Sequence, residues 1–185
     1  MSKPLCLVTA PVATRSGYGA HSRDICRALI KLDKYDVKIW NVRWGNTPMN
    51  ALNKDDPNDK MLVDRLLQSP ELPKQPELHI HIVIPNEFNP MGKYNIGVTA
   101  GLEMTACPPK WIEGMNKMNM NIVPSTFVKN TMNGIVFDIT DEQTKQKKGE
   151  LKNEKPIEVL FEGTDTNIFK KTNEFSKLLV DEMKN

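Results

Sequence analysis

The sequence lacks any run of about 18 apolar residues, the length that a membrane-spanning helix needs. It also lacks a basic N-terminal segment followed by a long apolar core, the pattern of a secretory signal. The formal net charge is only +2, from 25 basic and 23 acidic side chains, so the composition carries no electrostatic signature of a nucleic-acid or anionic membrane surface. These absences predict a chain without a membrane span or a specific nucleic-acid partner.

Cysteine and histidine are scarce, with three residues of each. Three cysteines without a framework of pairs, Cys6, Cys26 and Cys107, suit a reducing compartment, and we expect a cytoplasmic protein. His79 and His81 alternate along an apolar segment, but no third ligand with fitting spacing accompanies them. We therefore expect core or edge histidines, no metal site and no bound cofactor.

Apolar segments alternate with amphipathic segments, which indicates a parallel sheet with helices on both faces. At 185 residues and 39% hydrophobic content, the chain suits one well-buried domain. We expect a single doubly wound Rossmann-like α/β domain over residues 1–169, with a mostly parallel sheet of about six or seven strands. The predicted strands are 4–9, 37–42, 78–84, 94–100, 121–123 and 157–161.

Helices are predicted from Gly19 onward, over 61–67 and 109–118, and over 125–133 with Ser125 as N-cap. The polar stretch 138–155 predicts a solvated loop or a hairpin insert. Residues 170–185 are predicted to form a C-terminal helix that packs on the domain, because Phe175, Leu178, Leu179 and Met183 recur at helical spacing.

A glycine loop joins the first predicted strand to the first predicted helix, and its residues are Arg15, Ser16, Gly17, Tyr18 and Gly19. The start of a helix offers free N–H groups and a positive dipole end, so this loop predicts a site for a diphosphate, another anion or a sugar. The alternative is a tight connection without a ligand. We expect Gly19 and Arg15 to lie outside the core, so that substitutions there leave the fold intact.

Two common phosphate sites are excluded by the surrounding residues. A dinucleotide fingerprint needs a third small residue and a carboxylate at the end of the second strand, where this chain has Ser22, Arg43 and Trp44. The Gly-Lys-Ser/Thr ending of a P-loop is also missing. NAD and P-loop nucleotide binding are therefore not expected.

Four segments, in the same order, resemble the N-terminal domain of glycosyltransferases built from two Rossmann-like domains, the GT-B type. The resemblance is to the retaining mannosyl- and glucosyl-transferring group often found in bacterial and phage genomes, and it covers residues 3–169. The first segment is the loop Ser-Gly-Tyr-Gly at 16–19, and the second is Tyr-Asn-Ile-Gly-Val-Thr-Ala-Gly-Leu-Glu at 94–103 with Pro-Pro-Lys-Trp at 108–111. The third is Met-Asn at 115–116 with Ile-Val-Pro-Ser-Thr-Phe-Val at 122–128, and the fourth is Pro-Ile-Glu-Val-Leu-Phe-Glu-Gly-Thr-Asp-Thr-Asn-Ile-Phe at 156–169.

The resemblance implies the acceptor-side half of a glycosyl transfer enzyme. A nucleotide-sugar donor would be a substrate, held by a separate C-terminal-type donor domain, another subunit or a second copy of the chain. The candidate sugar or acceptor contacts are Trp44, Glu103, Ser125, Glu162, Gly163 and Asp165. No catalytic residue is assigned, and for Ser125 and Glu103 the alternatives are an N-cap and a loop carboxylate. The alternative function is a non-catalytic module that binds a sugar, a nucleotide or a protein.

Overall fold

The computed structural model describes residues 3–69, 71–167 and 169–171. Along the chain it contains β1 (Leu5–Ala10), α1 (Gly17–Leu32), β2 (Asp36–Asn41), α2 (Pro57–Val63), β3 (Leu78–Ile82), a 3-10 turn (Pro85–Glu87), β4 (Tyr94–Val98), α3 (Pro109–Lys117), β5 (Met120–Val123), α4 (Thr126–Gly134), β6 (Val136–Thr140), β7 (Lys147–Lys152) and β8 (Ile157–Val159). The predicted helical residues 172–185 lie outside the described residues. No described helix combines the length and the apolarity needed to cross a membrane.

Six parallel strands form the main sheet in the order β2-β1-β3-β4-β5-β8. A single parallel bridge between Ile39 and Leu66 extends the sheet beyond β2. We count the segment at Leu66 as a strand beside β2 and number the seven strands of this sheet in chain order. Their order across the sheet is then 3-2-1-4-5-6-7, and its first six positions match the Rossmann order 3-2-1-4-5-6. The predicted α/β class and Rossmann-like parallel sheet are therefore confirmed.

Two apolar clusters fill the layers between the sheet and its helices. Cys26 of α1 and Leu62 of α2 belong to one cluster, and Ile112 of α3 and Met132 of α4 belong to the other. Neighbouring residues of β5 divide between them, because Ile122 packs on the first cluster and Val123 belongs to the second. Since successive strand side chains point to opposite faces, the helices cover both faces of the sheet.

Local capping sets where two of the helices begin. Ser125 has extended backbone and its side chain accepts a hydrogen bond from the Val128 N–H, so the predicted N-cap of α4 is confirmed. The second helix was predicted over 61–67, but it runs over Pro57–Val63. Asp56 caps this helix and Pro57 occupies its first turn. The N–H groups of a first turn have no partner within the helix, so the N–H that proline lacks removes no hydrogen bond.

The polar insert folds as a hairpin, one of the two predicted alternatives. Strands β6 and β7 pair antiparallel and form a separate two-stranded sheet. Phe137 lies opposite Leu151 in this register, and both pack against the second apolar cluster. Lys147 forms ion pairs on the outer surface with Asp138 at 2.7 Å and Glu150 at 2.8 Å.

Candidate functional site

The carboxyl ends of the parallel strands form one edge of the sheet, and the order of the strands reverses there. From β1 the next strand in the chain, β2, lies on one side, whereas β3 lies on the opposite side of β1 and β4 follows in that direction. Ligands of open α/β sheets bind outside the carboxyl ends of the strands at such a reversal. The glycine loop follows β1 directly, so it lies at this edge.

Internal hydrogen bonds hold the glycine loop in one shape. The Thr14 hydroxyl donates to the Pro11 carbonyl at 2.8 Å, and the Ser16 oxygen lies 2.8 Å from the Thr14 oxygen. Ser16 also accepts from the Gly19 N–H at 3.0 Å as the N-cap of α1. Arg23 donates to the carbonyls of Val12 and Thr14, both at 2.9 Å. The hydroxyl of Ser16 is therefore part of the helix cap.

Arg15 is bound to a different loop. Its Nε donates to Asn50 Oδ1 at 2.8 Å, its Nη2 donates to the Asn50 carbonyl at 3.2 Å, and its backbone N–H donates to the Pro48 carbonyl. The guanidinium thus anchors the polar loop that follows β2. An anion at the glycine loop would have to share or replace these bonds, and the predicted anion site stays a prediction.

The two glycines of the loop have different surroundings. A Cβ atom on Gly19 would lie 2.3 Å from the Thr14 carbonyl oxygen and 2.6 Å from the Thr14 hydroxyl oxygen. The expectation that Gly19 lies outside the core is wrong, because the residue is buried where α1 packs on its own N-terminal loop. A Cβ atom on Gly17 would meet nothing within 4 Å. Gly17 is therefore the glycine that is open to a ligand.

Tyr18 connects three loops at the carboxyl edge. Its hydroxyl oxygen lies 2.9 Å from the Thr99 hydroxyl oxygen and accepts from the Ala100 N–H at 3.0 Å. Its ring stacks on Trp44, with the ring centroids 4.1 Å apart. Burial raises the pKa of Tyr18, against the opposing effect of the bonds with Thr99 and Ala100. Loops from the first and second segments of the resemblance therefore meet through this side chain.

A cleft of about 330 Å³ separates α1 from the exit segment, which we define as residues 160–165. Two of its lining residues form a pair: the His21 Nδ1 atom lies 3.6 Å from the Glu162 Oε1 atom, and the two side chains are 13% and 52% exposed. The cleft is lined by Gly17, Ala20, His21, Asp24, Ile25, Ala28, Leu160, Phe161, Glu162 and Gly163. The structure thus brings the glycine loop together with Glu162 and Gly163 of the last segment.

A second, charged cleft of about 490 Å³ continues along α1 and shares Asp24 and Ala28 with the first. Asp165 lines this second cleft, as do Arg27, Lys31, Asp56 and Asn58. The Arg27 guanidinium binds the buried carboxylate of Asp59 at 2.6 Å. Asp165 therefore lines the charged cleft, and it is not among the residues that line the cleft with Gly17.

The remaining candidates are distributed along the edge. One face of Trp44 is occupied by Tyr18, and Ser125 acts as an N-cap. Glu103 is exposed in the connection after β4, and its carboxylate makes no hydrogen bond to another described residue. The structure therefore does not bring Ser125 and Glu103 into the cleft beside α1.

Sequence reasoning missed a buried polar layer on one face of the central strands. His79 Nε2 lies 2.9 Å from the Thr9 hydroxyl, and His81 Nδ1 accepts from the Asn89 N–H at 3.1 Å. Burial lowers the pKa of both histidines to about 4. Of the two predicted alternatives, core or edge, both histidines occupy the core. Within the described ranges, no group of three or more His, Cys, Asp or Glu residues could hold a metal ion.

The pairing of His21 with Glu162 was also missed, because no local spacing relates a residue of α1 to a residue that follows β8.

Comparison of the chain with family models, curated proteins and solved structures gave no match in any of the three.

Proposed function

We propose that this protein is the acceptor-side part of a glycosyl transfer enzyme, and that a separate domain or subunit holds the nucleotide-sugar donor. One observation carries the proposal: the first and last segments of the glycosyltransferase resemblance, far apart in sequence, line one cleft beside the N-terminus of α1. Gly17 comes from the first segment, and Glu162 and Gly163 come from the last. Ligand sites of α/β sheets form at this edge.

The geometry of the cleft suits binding more than chemistry. Its volume of about 330 Å³ lies at the lower end of the range for small-molecule sites, roughly 300–1,000 Å³. Apolar residues form much of its lining, with a few polar groups among them, which is the composition of sites that orient a ligand. Donor positioning would come from the second unit, and positioning supplies much of an enzyme's rate enhancement.

Glycosyl transfer from radiolabelled UDP-glucose and GDP-mannose tests the proposal. The purified 185-residue chain is assayed with saccharide acceptors, alone and recombined with proteins that it retains from a native extract. We expect no turnover by the chain alone and transfer by the recombined complex, lost when the chain is left out. Turnover by the isolated chain would contradict the requirement for a second unit.

Two glycine variants provide a matched pair for the same assay. A Cβ atom on Gly17 and one on Gly149 of β7 would each meet nothing within 4 Å, so both valine variants should fold. Only Gly17→Val adds bulk to the cleft, and it alone should reduce transfer. Equal activity of the two variants would remove the glycine loop from the site. Saccharide binding without any transfer would instead support the non-catalytic binding module.

A further inference from the structure

The cleft beside α1 has an apolar wall next to a polar pair. Leu160 and Phe161 of the exit segment are 47% and 70% exposed, and they face a lining that includes Ile25 and two alanines of α1. An exposed aromatic ring offers a flat apolar surface for the C–H face of a ligand. The His21 and Glu162 side chains lie at the same cleft and supply hydrogen-bonding atoms.

The charge of the cleft opposes an anionic ligand. Its lining contains the carboxylates of Asp24 and Glu162, and neither lysine nor arginine occurs among the described residues that line it. Arg27 binds Asp24 at 3.2 Å but lies in the neighbouring cleft, where its other nitrogen binds Asp59. A phosphate in the first cleft would therefore meet the carboxylates of Asp24 and Glu162 without a lysine or an arginine to bind it.

A ligand with hydroxyl groups on an apolar ring suits both the polar pair and the apolar wall of this cleft. A carboxylate accepts strong hydrogen bonds from hydroxyl donors, and an imidazole offers one further donor or acceptor. A pyranose ring carries several hydroxyls around its rim and apolar C–H groups on its faces. Such a ligand can bond to Glu162 and His21 while its ring rests on Phe161.

We infer that this cleft binds a neutral saccharide and excludes phosphate-bearing ligands. The inference rests on the proposed function in one respect, since it makes the saccharide the acceptor of the transfer. It also assigns the donor diphosphate to a place outside this cleft.

Titration of the isotopically labelled 185-residue chain, followed by NMR, tests this inference. The probes are methyl α-glucoside, methyl α-mannoside and maltose, with UDP and inorganic phosphate as the anionic comparison. We expect at least one of the saccharides to shift the amide signals of Gly17, Ala20 and Gly163, and we expect neither anion to do so. Shifts of these amides by an anion and not by the saccharides would overturn the inference, and so would no shift by any saccharide.

Paired variants locate the binding. Phe161→Ala and Glu162→Gln should each weaken saccharide binding about tenfold or more, the effect of losing a stacked ring or a charge-assisted hydrogen bond. Phe127→Ala and Glu158→Gln are the matched controls, because both residues are exposed and do not line the cleft. Equal weakening by the control variants would place the site elsewhere.

The two proposals fail in different ways. Saccharide binding at the cleft, without transfer by any reconstituted enzyme, would remove the proposed function and leave the cleft assignment intact. Transfer with an acceptor KM that Phe161→Ala does not change would support the function and overturn the cleft assignment.

Discussion

The hydroxyl oxygen of Tyr18 lies 2.9 Å from the hydroxyl oxygen of Thr99, although the two residues are 81 positions apart. Tyr18 lies in the first turn of α1, and Thr99 directly follows β4. The Ala100 N–H donates to the same phenol oxygen, and the Gly101 N–H donates to the Thr99 hydroxyl at 3.3 Å. This chain of bonds joins the glycine loop to the connection after β4.

Removal of this link should destabilise the protein. We expect Tyr18→Phe to lower the free energy of unfolding by about 1–3 kcal/mol, because the buried Thr99 hydroxyl and the Ala100 N–H each lose a hydrogen bond to the phenol oxygen while the ring still packs on Trp44. Urea denaturation measures the change. Tyr94→Phe is the control, since Tyr94 is 45% exposed. Equal stability of the two variants would show that the bond contributes nothing.

Alanine at Gly19 should destabilise the protein by about 1–3 kcal/mol or more, because the new methyl group would overlap the Thr14 carbonyl oxygen. Alanine at Gly17 should be neutral or stabilising, since the added atom meets open space and alanine favours a helix. Thermal denaturation of both variants compares the two positions. A Gly19→Ala variant as stable as the parent would contradict the close packing of α1 on its loop.

The stability of the fold should fall as the pH drops from about 6.5 towards 4. Burial lowers the pKa of His79 and His81 to about 4 in the folded protein, whereas unfolding restores the value near 6.5. The unfolded chain therefore takes up protons first as the pH falls, and stability present above pH 6.5 is lost within this window. We expect the two histidines together to lower the free energy of unfolding by about 5 kcal/mol between pH 7.0 and 4.5, measured by urea denaturation at pH 7.0, 6.0, 5.0 and 4.5.

NMR of the imidazole C–H groups assigns this loss to the two histidines. Both should stay neutral in the folded protein until the pH approaches 4. Asp141, whose pKa is lowered to about 2 by its bond with Lys148, titrates below the window. Titration of His79 or His81 near pH 6.5 in the folded state would refute the explanation.

Ser125 should contribute to stability through its cap. Ser125→Ala removes the acceptor of the Val128 N–H and should cost about 1 kcal/mol, whereas Ser125→Asp should keep most of the stability because aspartate also caps helices. Chemical denaturation of both variants measures the difference. If Ser125→Asp were as unstable as Ser125→Ala, the hydroxyl would have a role other than capping.

Features with a local signal were predictable. The apolar runs of β1 and β3 predicted strands that agree with the structure within a few residues. Ser125 was identified as a cap from its position before an amphipathic segment. The second helix was misplaced because its apolar residues lie at the C-terminal end, while Asp56 and Pro57 start it four residues earlier than predicted.

Features that depend on distant contacts were not predictable from spacing. The sequence marks Gly17 and Gly19 as the same kind of turn glycine, but only the packing of α1 on Thr14 buries Gly19 and leaves Gly17 open. Glu162 follows β8, so it approaches His21 only when all six strands of the main sheet have been placed and the chain has returned to α1.

The sequence by itself determined the alternation of strands and helices, because apolar periodicity and capping act over a few residues. Only the tertiary structure decided the strand order, the burial of His79 and His81, and the cleft beside α1. Each of these depends on which distant segments become neighbours when the two apolar faces of the sheet are covered. The energy that selects those neighbours comes from burying surface across the whole domain, and no short window of sequence contains it.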